Sequence, residues 1–265
     1  MLKRRLIPVL FLKNGLIVRS EKFSYHQNLG NPVSEASRYS EWNVDELIYI
    51  DISRENTYDL RRDDLRIRIK NELIDILTAV SKVCFMPLTF GGGIRTIEDI
   101  RKRLQAGADK VTINTIAIEN PAFINESSLV FGSQCIVVSI DYKAVNSTLK
   151  VFKGGIIETD LDLFTWVKEV ERLGAGEIFL NAIERDGMSC GYDIAAISEI
   201  CSIVKIPVVA CGGAGTFDDF LEVAKNTDVS AIAAGNIFHF TELAYPKAKI
   251  MLLENGINVR RGLGQ

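Results

Sequence analysis

Eight short apolar runs, each followed by an amphipathic stretch, divide the chain from end to end, at 6–10, 46–50, 86–90, 110–113, 136–141, 177–180, 207–210 and 231–234. Runs of four to six mostly apolar residues, many of them β-branched and bounded by turn residues, are what a strand buried on both faces requires. Such strands lie parallel and need helical crossovers between them. The intervening stretches supply these. One helix opens at Asn31-Pro32, a capping residue followed by proline at the first helical position. Others are predicted over 65–83, 96–106, 121–130, 161–173, 194–203 and 217–225, with a last one ending near Glu254. Eight strand–helix units suit a closed α/β fold, the (β/α)₈ or TIM barrel, as one domain over 1–265. An open doubly wound sheet is disfavoured because no Gly-x-Gly-x-x-Gly follows the first run.

Composition narrows the function. A net charge of -3 with 25% charged residues gives no electrostatic reason to expect nucleic acid or anionic membrane. Five scattered cysteines without a C-x-x-C pair suggest neither a disulfide framework nor a zinc site. The apolar start is too short for a membrane span, and no small-residue cleavage site follows it. A cytoplasmic protein without metal or cofactor is the expectation.

The two halves echo each other, which predicts half-barrels of about 1–131 and 132–265. Gly91-Gly92-Gly93-Ile94 after the third run answers Gly212-Gly213-Ala214-Gly215 after the seventh, and Val111-Thr112-Ile113-Asn114 answers the stretch 231–236. Glycines between a strand and a helix let backbone N–H groups approach an anion at the positive end of the helix dipole. One predicted phosphate site combines Gly93 with Asn114 and Thr115, the other Gly213 with Gly235 and Asn236. The plainer alternative is a pair of tight turns. Long connections follow the first run (13–30) and the fifth (142–160), where Gly154-Gly155 suggests a hairpin.

Asp51, Asp141, Glu184 and Asp186 fall at or just beyond predicted strand ends, where carboxylates are candidates for acid or base work or, more plainly, for capping and solvation. Asp141 stands out because its strand, Ile136-Val137-Val138-Ser139-Ile140-Asp141, is the most apolar. At the opposite strand ends sit Arg5, Glu46, Lys110 and Glu177, either a ring of ion pairs closing the lower mouth or simply surface charges. The two histidines, His26 and His239, lie near no second ligand-like cluster, so metal catalysis and a Ser-His-Asp triad are poorly supported.

Several motifs together resemble one family, the cyclase subunit of imidazole glycerol phosphate synthase. They include Asp45-Glu46-Leu47, Asp51-Ile52, Gly91-Gly92-Gly93-Ile94, Gly107-Ala108-Asp109-Lys110-Val111, Ile113-Asn114-Thr115, Phe131-Gly132-Ser133-Gln134, Arg185-Asp186-Gly187, Gly212-Gly213-Ala214-Gly215 and Phe238-His239-Phe240. The resemblance implies a barrel of the ribulose-phosphate-binding type. It also implies a phosphorylated small molecule held at the upper face by Arg19, Asp51, Asp186, Gly187 and the two glycine sites, and a glutaminase docked at the lower face with Asp109 in the interface. Arg5, Glu46, Lys110 and Glu177 fall on the positions that gate ammonia into the barrel, with the Thr89 hydroxyl along its path.

The chain departs from that family at one decisive place. Active cyclases pair an aspartate after strand one with another after strand five; Asp141 matches the second, but Phe11 occupies the first. A phenyl ring neither donates nor accepts a proton, and losing an acid or base costs ~10²–10⁴ in rate. The lysine of the loop after strand one is also replaced, by Arg19. A paralogous branch is similar in Phe179-Leu180-Asn181-Ala182-Ile183, Ala210-Cys211-Gly212-Gly213 and Ala233-Ala234-Gly235-Asn236. That branch serves surface-polysaccharide pathways, supplying ammonia to a separate ATP-dependent amidotransferase that converts an acetamido sugar to an acetamidino sugar. The expectation is therefore an ammonia-channelling subunit. The rivals are a genuine lyase of histidine biosynthesis and a phosphate-binding scaffold that activates a glutaminase.

Overall fold

The computed structural model describes residues 3–53, 73–240 and 243–261. Among them the strands run, in chain order, β1 (Arg5–Lys13), β2 (Leu16–Glu21), β3 (Tyr25–Gly30), β4 (Leu47–Asp51), β5 (Leu88–Gly91), β6 (Lys110–Ile113), β7 (Ile136–Val145), β8 (Thr148–Lys153), β9 (Ile157–Asp162), β10 (Glu177–Ala182), β11 (Val208–Cys211) and β12 (Ala231–Ala234). β1, β4, β5, β6, β7, β10, β11 and β12 correspond to the eight apolar runs and pair in parallel in that order. The β12–β1 and β7–β10 pairings close the sheet on itself, so a (β/α)₈ barrel results.

Strand ends differ from the predicted runs by a residue or two for local reasons. The run at 86–90 becomes a strand only from Leu88, because Pro87 has no N–H for the ladder and instead offers its carbonyl to Leu47 N at 2.9 Å.

Helices α1 (Pro32–Glu41), α2 (Leu73–Ser81), α3 (Ile97–Gln105), α4 (Thr115–Glu119), α5 (Ala122–Phe131), α6 (Leu163–Arg172), α7 (Ile194–Ile203), α8 (Phe217–Asn226), α9 (Ile237–Phe240) and α10 (Ala244–Glu254) pack outside the sheet. The beginning of the helix expected over 65–83 lies outside the described residues. Asn31 caps α1, accepting from Val33 N at 2.8 Å and Ser34 N at 3.3 Å. A capping box of Thr96 with Asp99 opens α3, and Thr216 with Asp219 opens α8 in the same way. The turn-and-cap after β5 is thus repeated after β11.

Alternation along the strands creates two cores. Residues such as Leu6, Leu10, Leu47, Tyr49, Ile178 and Leu180 face the helices. Their neighbours Ile7, Val9, Phe11, Ile48, Val137, Phe179, Val209, Ala231 and Ala233 fill the barrel lumen. The connection over 13–30 is an antiparallel ribbon: β2 pairs with β1 and β3 with β2. The connection over 142–160 forms a second ribbon of β7, β8 and β9, with Gly154 and Gly155 at positive φ in the β8–β9 turn. Neither ribbon carries the unbroken apolar pattern of a buried strand, which is why the first read only as a long loop.

Candidate functional sites at the two ends of the barrel

Asp141 ends the lumen-facing series Val137, Ser139, Asp141 on β7 and is buried. Its carboxylate accepts from Asn181 Nδ2 at 2.9 Å and from Asn114 Nδ2 at 3.2 Å. Burial pushes its pKa up to about 7, with the Asp186 charge adding to the rise and hydrogen bonds from Asn181 and Gly155 opposing it. Asp186, after β10, is also raised, to about 6, by burial against the pull of Ser20 and the Phe23 amide. The two are electrostatically coupled, and the buried Cys211 thiol, held strongly protonated by its burial, feels both. Two carboxyls that titrate near neutrality beside a barrel mouth are suited to proton transfer.

Both ribbons reach over this mouth. Phe23, in the β2–β3 turn, donates its N–H to Asp186 Oδ2 at 3.3 Å, while Lys22 N donates to the Asp186 carbonyl at 2.8 Å. The Phe23 ring meets Phe11 edge to face and occupies the space a side chain at Gly155 would need. Phe11 itself is 5% exposed within the lumen core, so the end of β1 is filled by an aromatic pair.

The sequence-predicted anion turns are arranged differently in the two halves. Gly187, Gly213, Gly235 and Asn236 line one cleft together with Asp186, Cys211 and Phe11. Gly187 must lack a side chain there, because a Cβ would strike the Ser20 carbonyl, and its φ is +67°. The Asn236 amide is partly committed, donating to Ser20 O at 2.7 Å and so holding β2 over the cleft. In the other half Asn114 binds Asp141, donates to Ser139 O at 3.0 Å and accepts from Gly154 N at 2.8 Å. Thr115 begins α4 beside that same turn, and Gly93 follows β5 at positive φ.

Other predicted residues do not join the cluster. Asp51 lies on the opposite parity to the lumen residues of β4, with Oδ1 accepting from Ser53 N at 3.0 Å and Ser53 Oγ at 2.5 Å. Glu184 is exposed and accepts from Ala144 N at 3.4 Å. Arg19 pairs with Glu21 at 3.0 Å and lies over the Phe240 ring. His239 is packed, 3.6 Å from Glu35. Among the described residues no group of three His, Cys, Asp or Glu is placed to hold a metal ion, and no helix is long and apolar enough to cross a membrane.

At the lower face the four charges do form a closed ring. Arg5 bonds Glu46 Oε2 at 2.5 Å and also Glu177; Lys110 Nζ bonds Glu46 Oε1 at 2.8 Å and Glu177 Oε2 at 2.9 Å. Thr89 Oγ1 adds a bond to Glu46 at 3.0 Å. Burial alone pushes the Glu46 carboxyl up, but the Lys110 and Arg5 charges outweigh it and hold the group below its ordinary value. Burial likewise works against the Arg5 and Lys110 cations, and their two glutamates prevail and raise both. Alternating charges thus neutralise one another around the lumen's lower opening. Asp109 is exposed beside the ring, its carboxylate accepting from Leu88 N at 2.8 Å.

Sequence reasoning missed Asn181 and Phe23 as site residues. Asn181 follows Glu177 and Phe179 at alternate positions of β10, a spacing that places all three in the lumen. Phe23 left no signal, because only the folded ribbon brings it to Asp186 and Phe11.

The closed barrel, the twin glycine turns above and the charged ring below define a class: the (β/α)₈ proteins of HisF type. The chain belongs to the histidine biosynthesis protein family, whose model matches residues 5–244. Among its relatives, the imidazole glycerol phosphate synthase subunit HisF of Hydrogenobaculum sp. is 46% identical, over 98% of this chain and 100% of the relative. The subunits of that name from Sulfurisphaera tokodaii and Natranaerobius thermophilus are 44% and 41% identical over the same shares.

Proposed function

We propose that this chain is the ammonia-receiving barrel subunit of a glutamine-dependent amidotransferase, with a glutaminase on the lower face. One observation carries the reading: the complete ring of Arg5, Glu46, Lys110 and Glu177 at the foot of a lumen lined by Ile7, Ile48, Val137, Phe179 and Val209. A ring with no net charge neither attracts nor traps ammonium, and the apolar lumen above it is costly for an ion but not for neutral ammonia. At the upper end Phe11 and Phe23 replace one half of an acid/base pair, so delivery of ammonia is retained while ring closure is not.

The resemblance to the surface-polysaccharide branch supports an acetamido sugar as the final acceptor, activated by an ATP-dependent partner enzyme at or beyond the upper face. The test is coupled turnover in the assembled complex. Glu46→Ala and Lys110→Ala are expected to lower glutamine-dependent product formation ~10-fold or more while leaving product formation from external ammonium unchanged. Equal loss from both nitrogen sources would overturn the reading.

The second reading, a true cyclase, is favoured by the 46% identity over the full length of a HisF subunit and by the Asp141 carboxyl at about 7. Turnover of the histidine-pathway substrate with saturating ammonium separates the two. A wild type that is inert but gains ~10²-fold or more in Phe11→Asp supports diversion to ammonia delivery. A wild type that already turns over supports the cyclase.

A further inference from the structure

Asn181 is 1% exposed, and its amide oxygen has no hydrogen-bond partner among the described residues. A buried carbonyl oxygen without a donor forfeits the solvation it had in the unfolded chain, so this one stands ready to accept a hydrogen bond from a molecule in the lumen. The orientation of the amide is set by its neighbour. Asn181 Nδ2 donates to Asp141 Oδ1 at 2.9 Å, and turning the amide over would place its oxygen against that carboxylate. The NH₂ group is therefore committed to Asp141, and the oxygen is the end left to accept from something else.

Position adds to this. β10 presents Glu177, Phe179 and Asn181 in succession along the lumen. Glu177 belongs to the charged ring at the foot, Phe179 to the apolar middle, and Asn181 pairs in register with Asp141 on one side and Cys211 on the other. A molecule travelling up from the ring meets Asn181 as the first acceptor on this strand beyond the apolar stretch. A second polar atom without a partner among the described residues, Thr112 Oγ1, lies lower down on β6, two residues above Lys110. An amide oxygen is neutral and only weakly basic. It accepts an N–H without stabilising ammonium as a second carboxylate would.

We infer that Asn181 and Asp141 form an ammonia-binding site at the upper end of the lumen, in which the Asn181 amide oxygen accepts one N–H of neutral ammonia and the Asp141 carboxylate accepts another. Asn114 holds the far side of that carboxylate at 3.2 Å, so the acceptors are fixed before ammonia arrives. This inference rests on the ammonia-conducting reading of the barrel. It adds a place where the nucleophile is held and oriented before leaving the lumen.

The experiment uses the full chain alone, labelled with ¹³C at aspartate carboxyls, the Asp141 signal being assigned by its loss in Asp141→Asn. Ammonium chloride is added at a pH where a substantial fraction is neutral ammonia, with potassium chloride as the control for ionic strength. The wild-type Asp141 signal is expected to shift saturably with ammonia and not with potassium. Asn181→Leu should weaken that saturation at least ~10-fold, and Asn181→Ser, which restores a small acceptor, should recover part of it. An unchanged response in Asn181→Leu, or no saturable response in the wild type, overturns the inference. In the assembled complex, Asn181→Leu should lower product formed per glutamine hydrolysed, with glutamine hydrolysis itself unaltered. If Glu46→Ala uncouples the complex and Asn181→Leu does not, the site is wrong and ammonia conduction stands. If neither uncouples it, the conduction reading fails as well.

Discussion

The rings of Phe11 and Phe23 meet edge to face, their centroids 5.2 Å apart and their planes at 89°, at the mouth of the barrel beside Asp186. One belongs to a barrel strand and the other to the ribbon that folds back over it. The pair therefore ties the ribbon down through apolar contact where an acid/base site would need a polar group. Such pairs contribute about 0.5–1.5 kcal/mol beyond the area they bury. Phe11→Asp removes the pair and places a carboxyl in an apolar lumen. It should lower stability by about 3–5 kcal/mol, read as a reduced urea midpoint, even where it restores chemistry.

Phe23 is also fixed from the other side by Gly155. A Cβ at that residue would overlap the Phe23 ring, and its φ of +71° disfavours any other residue. Gly155→Ala should therefore destabilise the protein by about 1–3 kcal/mol and loosen the β2–β3 ribbon locally. Hydrogen exchange at Lys22 and Phe23, whose amides bond Asp186, should accelerate more than exchange in the barrel strands. Equal acceleration everywhere would mean the two ribbons are not coupled through this contact.

Asp141 makes stability depend on pH in a definite direction. Its carboxyl titrates near 7 in the folded protein against about 3.9 in an unfolded chain, so the native state binds the extra proton between those values. The group's contribution is complete below about pH 4 and is lost as pH rises through 7. Asp186, raised to about 6, acts in the same direction over a narrower window. Urea midpoints measured from pH 4.5 to 8 should show a component falling by a few kcal/mol, and Asp141→Asn should flatten it. An unaltered slope in the variant would place the ionisation of Asp141 near its ordinary value.

The barrel was legible because eight buried strands leave a pattern that few other folds produce. The charged ring was legible as residue types at strand starts, since Arg5, Glu46, Lys110 and Glu177 each stand immediately before or at the start of an apolar run. The mouth was less so. Asp51 and Asp141 look alike in sequence, each closing an apolar run, yet parity turns one to Ser53 and the other into the lumen. Asn114 and Asn236 sit where anion turns were expected, and their side chains are engaged by Asp141 and by Ser20. Those contacts come from ribbons far away in sequence, and strand periodicity carries no trace of them.

The ring should carry stability as well as function. Glu46 is 3% exposed at its side chain, and its removal leaves Arg5 and Lys110 sharing Glu177 alone. Breaking a buried pair by deleting one partner typically costs about 3–5 kcal/mol, because the remaining charge is uncompensated. Glu46→Gln should show a loss of that order in chemical denaturation. Glu46→Gln with Lys110→Met restores equal numbers of charges and should recover part of it. The double-mutant cycle gives the coupling directly, and additivity of the two single losses would show that the ring does not act as a unit.

A second buried pair closes the barrel where β1, β4 and α10 meet. Lys249 Nζ lies 2.6 Å from Asp45 Oδ2, with side chains 5% and 3% exposed. Asp45 also accepts from Leu6 N at 2.9 Å and pairs with Arg260 at 3.1 Å. Burial lowers the Lys249 pKa, and the attraction of Asp45 only partly offsets it. Asp45→Asn keeps an acceptor for Leu6 but removes the charge, leaving the buried Lys249 ammonium without its carboxylate partner. The variant should lose about 3–5 kcal/mol at pH 7. Because the Lys249 pKa then falls further below its unfolded value, stability should recover as pH rises towards 10, where the unfolded chain still binds the proton and the native state has released it. Adding Lys249→Met should restore stability at pH 7 and abolish that recovery. If Asp45→Asn proves neutral at pH 7, Lys249 draws its stabilisation from water or from the neighbouring Tyr245 ring, whose centroid lies 5.9 Å away.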